Sequence, residues 1–460
     1  MDLELSRYYN DLVGELGMSG NCVVNGKTMY NLVIGNRSAD LVSRCVSMGP
    51  SQNRARGSDL NEESQSSLYD SIVSAITYSR ILNLTNNAIN FDEENKICGL
   101  HLPVISCNQG DLKLKFPLIS LIGHFSASSS DSGGHLQIDS IPFICLDHEI
   151  VRQTVREMER MHENSGHYIT LVDHNVLDAF QDNLSGRVVS IVDHHQDSMT
   201  TESKFRLSLG TKIGSCSTLI GSIWRDSFDK GKIDREILME NKVFLEMIIC
   251  TILKDTCNFD QKLFGERWSS LDFEIYKWIL DKLSIENSTN NKYTDFYKNH
   301  LKYANRNMDL ILRNNLMDLF KMDYKEFVYQ NQTGDREVIA GYSSFEIDIL
   351  KMASHYKMES FQSNIIKFMA CNKLDLFIIL SNYIENTGNQ EEKISKQLAI
   401  SSSFPDPRQD ILNLVIEYLE SKIEITEIDP NDSTPELQTK LPSITDNSPA
   451  KIPTQIGANG

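Results

Sequence analysis

Short runs of apolar, mostly β-branched residues alternate with amphipathic stretches along the first two-thirds of the chain. The runs, each leading into a polar group, are 31–35, 167–173 and 187–193. The stretches with apolar residues at three- and four-residue spacing are 70–82, 148–164 and 235–255. The runs are typical of buried strands in a parallel sheet and the stretches of helices. We therefore expect an α/β fold, a parallel sheet flanked by helices, with its active site at the carboxyl ends of the strands.

The pattern changes near residue 268. A helical stretch reaches about residue 320, and strands and helices then follow one another, which predicts a smaller α+β domain. From residue 426 the chain holds five of its eleven prolines, few aromatic residues and no periodicity. We expect an N-terminal domain at 1–265, a second domain at 268–425 and a disordered tail at 426–460.

The chain is acidic, with 45 Lys and Arg against 63 Asp and Glu and a formal net charge of −18. That balance argues against binding to nucleic acid or to an anionic membrane surface as the main function. The N-terminus lacks the features of a secretory signal, and no window approaches the roughly 18 apolar residues of a membrane span. We expect a cytoplasmic protein without nucleic-acid or membrane partners, and the sequence leaves monomer and dimer open.

Side chains able to bind metal follow the predicted strands. Adjacent histidines, His194 and His195, come directly after the run that ends at Asp193. Asp173 and His174 follow the preceding run. Further candidates are Asn36 and Asp40 after the first run, and Asp255 near the end of a helix. Because the group combines carboxylates and imidazoles without a thiolate, it suits Mn²⁺ or Mg²⁺ better than zinc.

Six motifs, in order and approximate spacing, resemble those of the DHH phosphoesterase superfamily, in the branch with a DHHA2 C-terminal domain. The motifs are GNRSAD at 35–40, LVDHN at 171–175, IVDHHQD at 191–197, GSCSTLI at 214–220, LKDTCNF at 253–259 and MDYKEF at 322–327. Cytosolic exopolyphosphatases, prune-like proteins and family II inorganic pyrophosphatases form this branch. The resemblance therefore implies a hydrolase that acts on phosphoanhydrides, with a DHH domain followed by a DHHA2 domain.

The first motif departs from the family pattern, in which it continues as Asp-x-Asp-Ser. Here Asp40 is followed by Leu41 and Val42. Excising 42–69 joins Leu41 to Asp70 and restores the pattern, so we assign the missing metal ligand to Asp70. We interpret 42–69 as a retained intron or as a genuine surface insertion, since every valine codon begins with the bases that commonly start an intron.

The resemblance also implies two divalent cations, Mn²⁺ or Mg²⁺, which would activate a water molecule for attack on phosphorus. The implied metal ligands are Asp40, Asp70, Asp173, His194 and Asp255. His195 would act at the scissile phosphate, and Asp193 would orient the histidines. The implied substrate contacts are Asn36, His174, Lys325 and Arg408.

Asn36 discriminates between the activities of this branch. In the related pyrophosphatases a metal-binding histidine occupies the matching position, whereas the exopolyphosphatases resemble this chain in having asparagine. We therefore expect release of terminal orthophosphate from inorganic polyphosphate, with pyrophosphate hydrolysis as the alternative. A non-catalytic, prune-like interaction protein is a further alternative, if 42–69 displaces Asp70 from the site.

Overall fold

The structure is a computed structural model, and it describes most of the chain between residues 23 and 456. The described residues are 23–24, 27–36, 42–43, 63–85, 99–127, 143–160, 166–177, 179–208, 212–285, 287–330, 337–386, 392–402, 425–427 and 450–456. They fall into two compact units, unit 1 within Met1–Ser38 and Leu60–Ala304 and unit 2 within Ala39–Asp59 and Asn305–Gly460. This division places 268–304 in unit 1, whereas the sequence prediction assigns those residues to the second domain.

The described strands and helices are as follows, in chain order. The strands are β1 (Val23–Val24), β2 (Lys27–Thr28), β3 (Tyr30–Gly35), β4 (Val42–Ser43), β5 (Leu100–Val104), β6 (Tyr168–Val172), β7 (Val188–Asp193), β8 (Phe205–Ser208), β9 (Lys325–Gln330), β10 (Glu337–Phe345), β11 (Leu376–Asn386), β12 (Glu392–Ser402), β13 (Ile425–Glu427) and β14 (Ala450–Ile456). The helices are α1 (Glu63–Leu84), α2 (Phe116–Ala127), α3 (Glu149–Arg160), α4 (Cys216–Asp229), α5 (Arg235–Glu240), α6 (Lys242–Asp255), α7 (Ser270–Lys282), α8 (Asn287–Phe296), α9 (Met308–Ile311), α10 (Leu316–Leu319), α11 (Ile349–Tyr356) and α12 (Met358–Asn372). Among the described helices, none has the length and apolar character needed to cross a membrane.

Unit 1 is built on a five-stranded parallel sheet with the strand order β5-β3-β6-β7-β8. Leu32, Val33 and Ile191, on central strands, are fully buried. Adjacent residues of one strand point to opposite faces, so helices must cover both sides of the sheet. α1 packs on β3 and β5, and α4 packs on β7. The predicted α/β class is confirmed, and the carboxyl ends of β3, β6 and β7 lie at one edge of the sheet.

β3 and α1 approach each other closely where the strand ends. A Cβ atom on Gly35 would lie 2.7 Å from the carbonyl oxygen of Ser71 and 3.0 Å from its carbonyl carbon. On its other side, the carbonyl oxygen of Gly35 accepts a 2.5 Å hydrogen bond from the Ser106 hydroxyl. Only glycine fits this contact, which holds the start of the buried part of α1, including Asp70, beside the strand ends.

Unit 2 contains a mixed sheet with the strand order β13-β14-β12-β11-β10-β9-β4 among its described residues. β10 pairs with β11 in parallel, whereas β9 with β10 and β11 with β12 are antiparallel. Phe320, Phe345 and Phe377 are buried in this unit, and α12 packs on β11. The unit is smaller than unit 1 and combines helices with a sheet, as the predicted fold class requires.

Parts of two segments singled out in the sequence are described. Within the predicted tail, β14 pairs with β12, and the register shifts between Leu398 and Ile400, where β14 contains Pro453. Proline has no N–H to donate to a ladder, which accounts for the shift. Of 42–69, β4 pairs with β9, and 63–69 form the first turns of α1; the rest lies outside the described residues.

Candidate metal centre

Two neighbouring parallel strands, β6 and β7, end at chemically active residues. Asp173 follows β6, and Asp193 ends β7, with His194 and His195 directly after it. Asp173 has a φ of 62°, a left-handed conformation that costs about 1–2 kcal/mol in a residue other than glycine. Its N–H donates to the carbonyl oxygen of Val192 at 2.9 Å. The chain therefore turns sharply at Asp173 while staying bound to β7.

Asp173, His194 and His195 form a compact cluster. Each offers one ligand atom, and these three atoms lie within 4.8 Å of one another. His194 Nε2 is 3.1 Å from Asp173 Oδ1, and His195 Nδ1 is 3.9 Å from the same oxygen. The structure thus brings together two predicted metal ligands, Asp173 and His194, and the predicted catalytic residue His195.

The ring of His194 is oriented by the backbone. Its Nδ1 donates a 2.8 Å hydrogen bond to the carbonyl oxygen of Ile213, so in its neutral form the ring would turn a lone pair at Nε2 towards Asp173. Two acceptor atoms 3.1 Å apart repel each other unless a proton or a cation lies between them. Adjacent ligands around Mg²⁺, each about 2.1 Å from the ion, are about 3 Å apart. The observed spacing therefore suits a shared divalent cation.

Asp173 is fully buried. Its Oδ2 accepts a hydrogen bond from the Ser71 hydroxyl, and apart from the His194 contact its Oδ1 has no hydrogen bond of good geometry with a described residue. Burial raises the pKa of Asp173 to about 6, and the Asp70 carboxylate adds to the shift. Burial would lower the pKa of His194, but Asp173 and then Asp70 outweigh it and raise that pKa to about 10. The excess negative charge here attracts cations.

Asp255 supplies a further carboxylate at the end of α6. It is buried, and among the described residues neither of its side-chain oxygens has a hydrogen bond of good geometry. Burial raises the pKa of Asp255 well above its usual range, and Asp70 raises it further. Because buried polar atoms in native proteins are nearly always bonded, two such oxygens on one carboxylate indicate a missing positive partner.

Asp70 lies on α1 and is also buried. Its oxygens accept hydrogen bonds from the N–H groups of Cys216 at 2.6 Å and Ser217 at 2.9 Å. The hydroxyls of Ser217 at 2.6 Å and Ser74 at 3.1 Å donate to it as well. The first turn of α4 therefore holds Asp70 in place, in addition to any metal it binds.

Asp193 orients the second histidine. One of its oxygens, Oδ1, accepts from the ring Nδ1 of His195 at 2.7 Å, and the other accepts from the side-chain amide of Asn175 at 2.6 Å. Burial would raise the pKa of Asp193, but the hydrogen bond and charge of His195 outweigh it and lower that pKa to about 2. Asp193 is therefore ionised, and it places the side chain of His195, which is 44 % exposed, at the site.

The donor set fits divalent cations. Asp173 and His194, and with them the predicted ligands Asp70 and Asp255, would offer oxygen and imidazole atoms, which suit Mn²⁺ and Mg²⁺. Cys216, which donates its N–H to Asp70, stays a thiol, because burial and the surrounding carboxylates raise its pKa well above the usual range. The orphaned oxygens of Asp173 and Asp255 are where a cation would bind.

The structure locates three of the predicted substrate residues. Asn36 directly follows β3 and is partly exposed, and the ring Nδ1 of His174 donates to the carbonyl oxygen of Val172 at 2.9 Å. Burial lowers the pKa of His174, so its ring is neutral. Lys325 begins β9 in unit 2 and is partly exposed. The predictions for Asp40 and Arg408 fall outside the described residues.

Sequence reasoning missed residues that support the centre. Ser71 contacts Asp173, and Asn175 contacts Asp193, the carbonyl of Gln196 and the N–H of Ser198. Both could have been found, because Ser71 directly follows Asp70 and Asn175 completes the LVDHN motif.

Comparisons with known proteins give a weak structural likeness and no match by family. No family model matches the chain, and no curated protein does. Eighteen chains of solved structures match. One is the crystal structure of a Methanococcus jannaschii putative family II inorganic pyrophosphatase, with 17 % identity, a TM-score of 0.38, and coverage of 73 % of this chain and 83 % of that one. At that TM-score the likeness carries no argument about the reaction, which has to be inferred from the site.

Proposed function

We propose that this chain is a metal-dependent phosphoanhydride hydrolase that releases terminal orthophosphate from inorganic polyphosphate. One observation carries the proposal: Asp173, His194 and His195 bring three possible ligand atoms within 4.8 Å of one another, and the buried carboxylates of Asp70 and Asp255 lie close enough for Asp70 to raise the pKa of both other aspartates. Burying three carboxylates together is costly unless cations compensate them. Divalent cations held there would supply the positive charge that stabilises phosphoryl transfer to water.

We propose His195 as the residue that acts on the reacting phosphate. Burial would lower its pKa, but the hydrogen bond that its Nδ1 donates to Asp193 and the charge of Asp173 raise it above the usual value. Because Nδ1 is bound to Asp193, proton exchange with substrate takes place at Nε2. A protonated ring would attract the anionic phosphate and donate a proton to the leaving oxygen.

The substrate class rests on the sequence. Asn36 stands where related pyrophosphatases carry a metal-binding histidine, which favours polyphosphate over pyrophosphate. A polyphosphate chain carries negative charge along its length, so basic side chains of the second domain would bind the units beyond the scissile bond. We propose Lys325 and Arg408 for this role, and Asn36 and His174 as contacts near the reacting phosphate.

The non-catalytic alternative requires 42–69 to displace Asp70. Asp70 nevertheless lies close enough to Asp173 and Asp255 to raise the pKa of both. In favour of the alternative, Asp70 already accepts four hydrogen bonds from residues of α1 and α4. An assay has to decide between an enzyme and a binding protein that retains the fold.

The test measures orthophosphate release from long-chain polyphosphate and from pyrophosphate with Mn²⁺ or Mg²⁺. It uses the full chain and a form that lacks 42–69. We expect polyphosphate hydrolysis that His195→Gln slows by about 10²- to 10⁴-fold, as loss of a general acid does. His355→Gln, which alters an exposed histidine of unit 2, is the control. If neither form hydrolyses either substrate, the enzyme proposal is wrong; preference for pyrophosphate would select the alternative activity.

A further inference from the structure

One short segment, 213–217, holds two of the metal-centre residues at once. The carbonyl oxygen of Ile213 accepts from His194 Nδ1 at 2.8 Å and so sets the direction of Nε2. Three residues further on, the N–H groups of Cys216 and Ser217 donate to Asp70 at 2.6 Å and 2.9 Å. Both contacts use backbone atoms. The position of this backbone therefore decides how His194 and Asp70 are presented to a cation.

The segment is anchored by a carboxylate from elsewhere in the chain. Asp272, on the first turn of α7, is fully buried. Both of its oxygens accept from the N–H of Gly214 at 3.1 Å, and Oδ1 also accepts from the Thr218 hydroxyl at 2.6 Å. The N–H of Ser269 donates to Oδ2 at 2.8 Å, and this hydrogen bond is part of the capping box at the N-terminus of α7. Asp272 thus ties α7 to Gly214 within the segment and to Thr218 directly after it.

The other side of the segment is packed against the turn that follows Asp255. A Cβ atom on Gly214 would lie 2.8 Å from the carbonyl oxygen of Arg267 and 3.0 Å from Cγ2 of Thr256. Arg267 in turn donates from Nε to the carbonyl oxygen of Asp255 at 2.8 Å. The segment has no room to shift towards this turn. If its anchor were lost, the movement would disturb His194, Asp70 and Asp255 together.

We propose that Asp272 is a positioning residue of the metal centre, which it serves through the backbone of 213–217; this inference rests on the proposed function. Its hydrogen-bond partners among the described residues are Gly214, Thr218 and Ser269, and none of these is a metal-centre residue. Outer residues that orient metal ligands are worth about 10- to 100-fold in metal affinity when they are removed. Asp272 would belong to this class although 17 positions separate it from Asp255 and 78 from His194 in the sequence.

The experiment titrates Mn²⁺ into the full chain and follows the electron paramagnetic resonance signal of the free ion, which needs no substrate. We expect Asp272→Ala and Asp272→Asn to weaken Mn²⁺ binding about 10- to 100-fold. The matched control is Glu246→Gln, a buried carboxylate of α6 that contacts Tyr293 and Lys242. The control should lower the thermal midpoint in EDTA but leave the Mn²⁺ dissociation constant unchanged.

A second pair of variants avoids the risk that Asp272 variants fail to fold. Thr218→Val keeps the shape of the side chain but removes the hydroxyl that donates to Asp272, so Mn²⁺ affinity should fall several-fold. Thr218→Ser keeps a hydroxyl and should restore it. If the unmutated chain binds no Mn²⁺, the proposed function itself fails. If the unmutated chain binds Mn²⁺, and Thr218→Val and every folded Asp272 variant bind it equally well, Asp272 has no positioning role.

Discussion

The buried carboxylate of Asp255 destabilises the folded protein when no cation is bound. Both oxygens of its buried carboxylate lack hydrogen bonds of good geometry among the described residues, while Asp70 lies near enough to raise its pKa. A carboxylate in this position destabilises the folded chain unless it takes up a proton or a cation. At Asp255, binding of a cation should therefore directly increase the free energy of unfolding.

Asp255→Asn should make the metal-free chain more stable and abolish its response to metal. The neutral amide has nearly the same shape, so we expect the free energy of unfolding in EDTA to rise by roughly 1–3 kcal/mol at neutral pH. Added Mn²⁺ should then give little further stabilisation. Chemical denaturation with and without Mn²⁺ measures both effects. A variant that is less stable in EDTA and still stabilised by Mn²⁺ would show that Asp255 is not a ligand.

His101 is a buried histidine away from the metal centre. Its Nδ1 accepts from the side-chain amide of Asn31 at 2.7 Å, and burial lowers its pKa to about 3. In the unfolded chain its pKa is near the ordinary value of about 6.5. Between these two values the unfolded state binds a proton that the folded state excludes. Stability from this group is therefore complete above about pH 6.5 and is lost as the pH falls below it.

His101→Gln should reduce the acid sensitivity of unit 1. Excluding one proton costs about 1.4 kcal/mol per pH unit, so between pH 6.5 and pH 5.5 the unmutated chain should lose roughly 1 kcal/mol more than the variant. Urea unfolding at the two pH values, followed by tryptophan fluorescence, measures the difference. His355→Gln, an exposed site, should leave the slope unchanged. Equal slopes for His101→Gln and the unmutated chain would contradict the expectation.

At the scale of elements, the close contact of β3 and α1 determines where Asp70 lies. Gly35→Ala would place Cβ 2.7 Å from backbone of Ser71, so strand or helix must shift. We expect a loss of about 1–3 kcal/mol in the free energy of unfolding, as for other overpacked sites, and weaker Mn²⁺ binding. Calorimetry and Mn²⁺ titration test the two effects.

A matched glycine substitution distinguishes this contact from a general effect of glycine. Gly123 lies on α2, and a Cβ atom there would have no neighbour within 4 Å. Gly123→Ala should stabilise the chain by roughly 0.5–1 kcal/mol because alanine loses less entropy in a helix. If both substitutions had the same sign, the contact between β3 and α1 would not be tight.

Some elements can be predicted from the sequence and others cannot. β6 and β7 are recognisable because their apolar runs end at Asp173 and Asp193, and a parallel sheet brings such ends together. The place of α7 could not be foreseen, because it depends on Asp272 bonding to Gly214 and Thr218, more than 50 positions away.

At the scale of the whole molecule, the tryptophans report on one unit. All three, Trp224, Trp268 and Trp278, lie within the residues of unit 1. Mn²⁺ at about 100 times its dissociation constant should stabilise that unit by about 2.7 kcal/mol. The fluorescence-detected midpoint of urea unfolding should therefore rise with Mn²⁺ and return with EDTA. A midpoint that ignores saturating Mn²⁺ would contradict a metal centre in unit 1.

The proposed metal centre changes what the net charge of −18 implies about substrates. An acidic surface alone disfavours a polyanionic substrate, but divalent cations at buried carboxylates reverse the sign of the local field. Composition argues against coating of nucleic acid, but it could not predict such a local reversal of charge, because composition carries no positions. The net charge of the chain therefore does not determine the sign of the electrostatic field at the proposed metal centre.

The backbone contacts of 213–217 determine which amino-acid substitutions this segment tolerates. Ile213 and Cys216 serve the centre through a carbonyl and an N–H, so their side chains can be exchanged for other apolar residues of similar size. Gly214 cannot, because any Cβ would meet the carbonyl oxygen of Arg267 at 2.8 Å. A library randomised over this segment and selected for Mn²⁺ binding should vary at 213 and 216 but retain glycine at 214. The residues allowed in segment 213–217 would therefore be limited by the space available to a side chain and not by its functional groups.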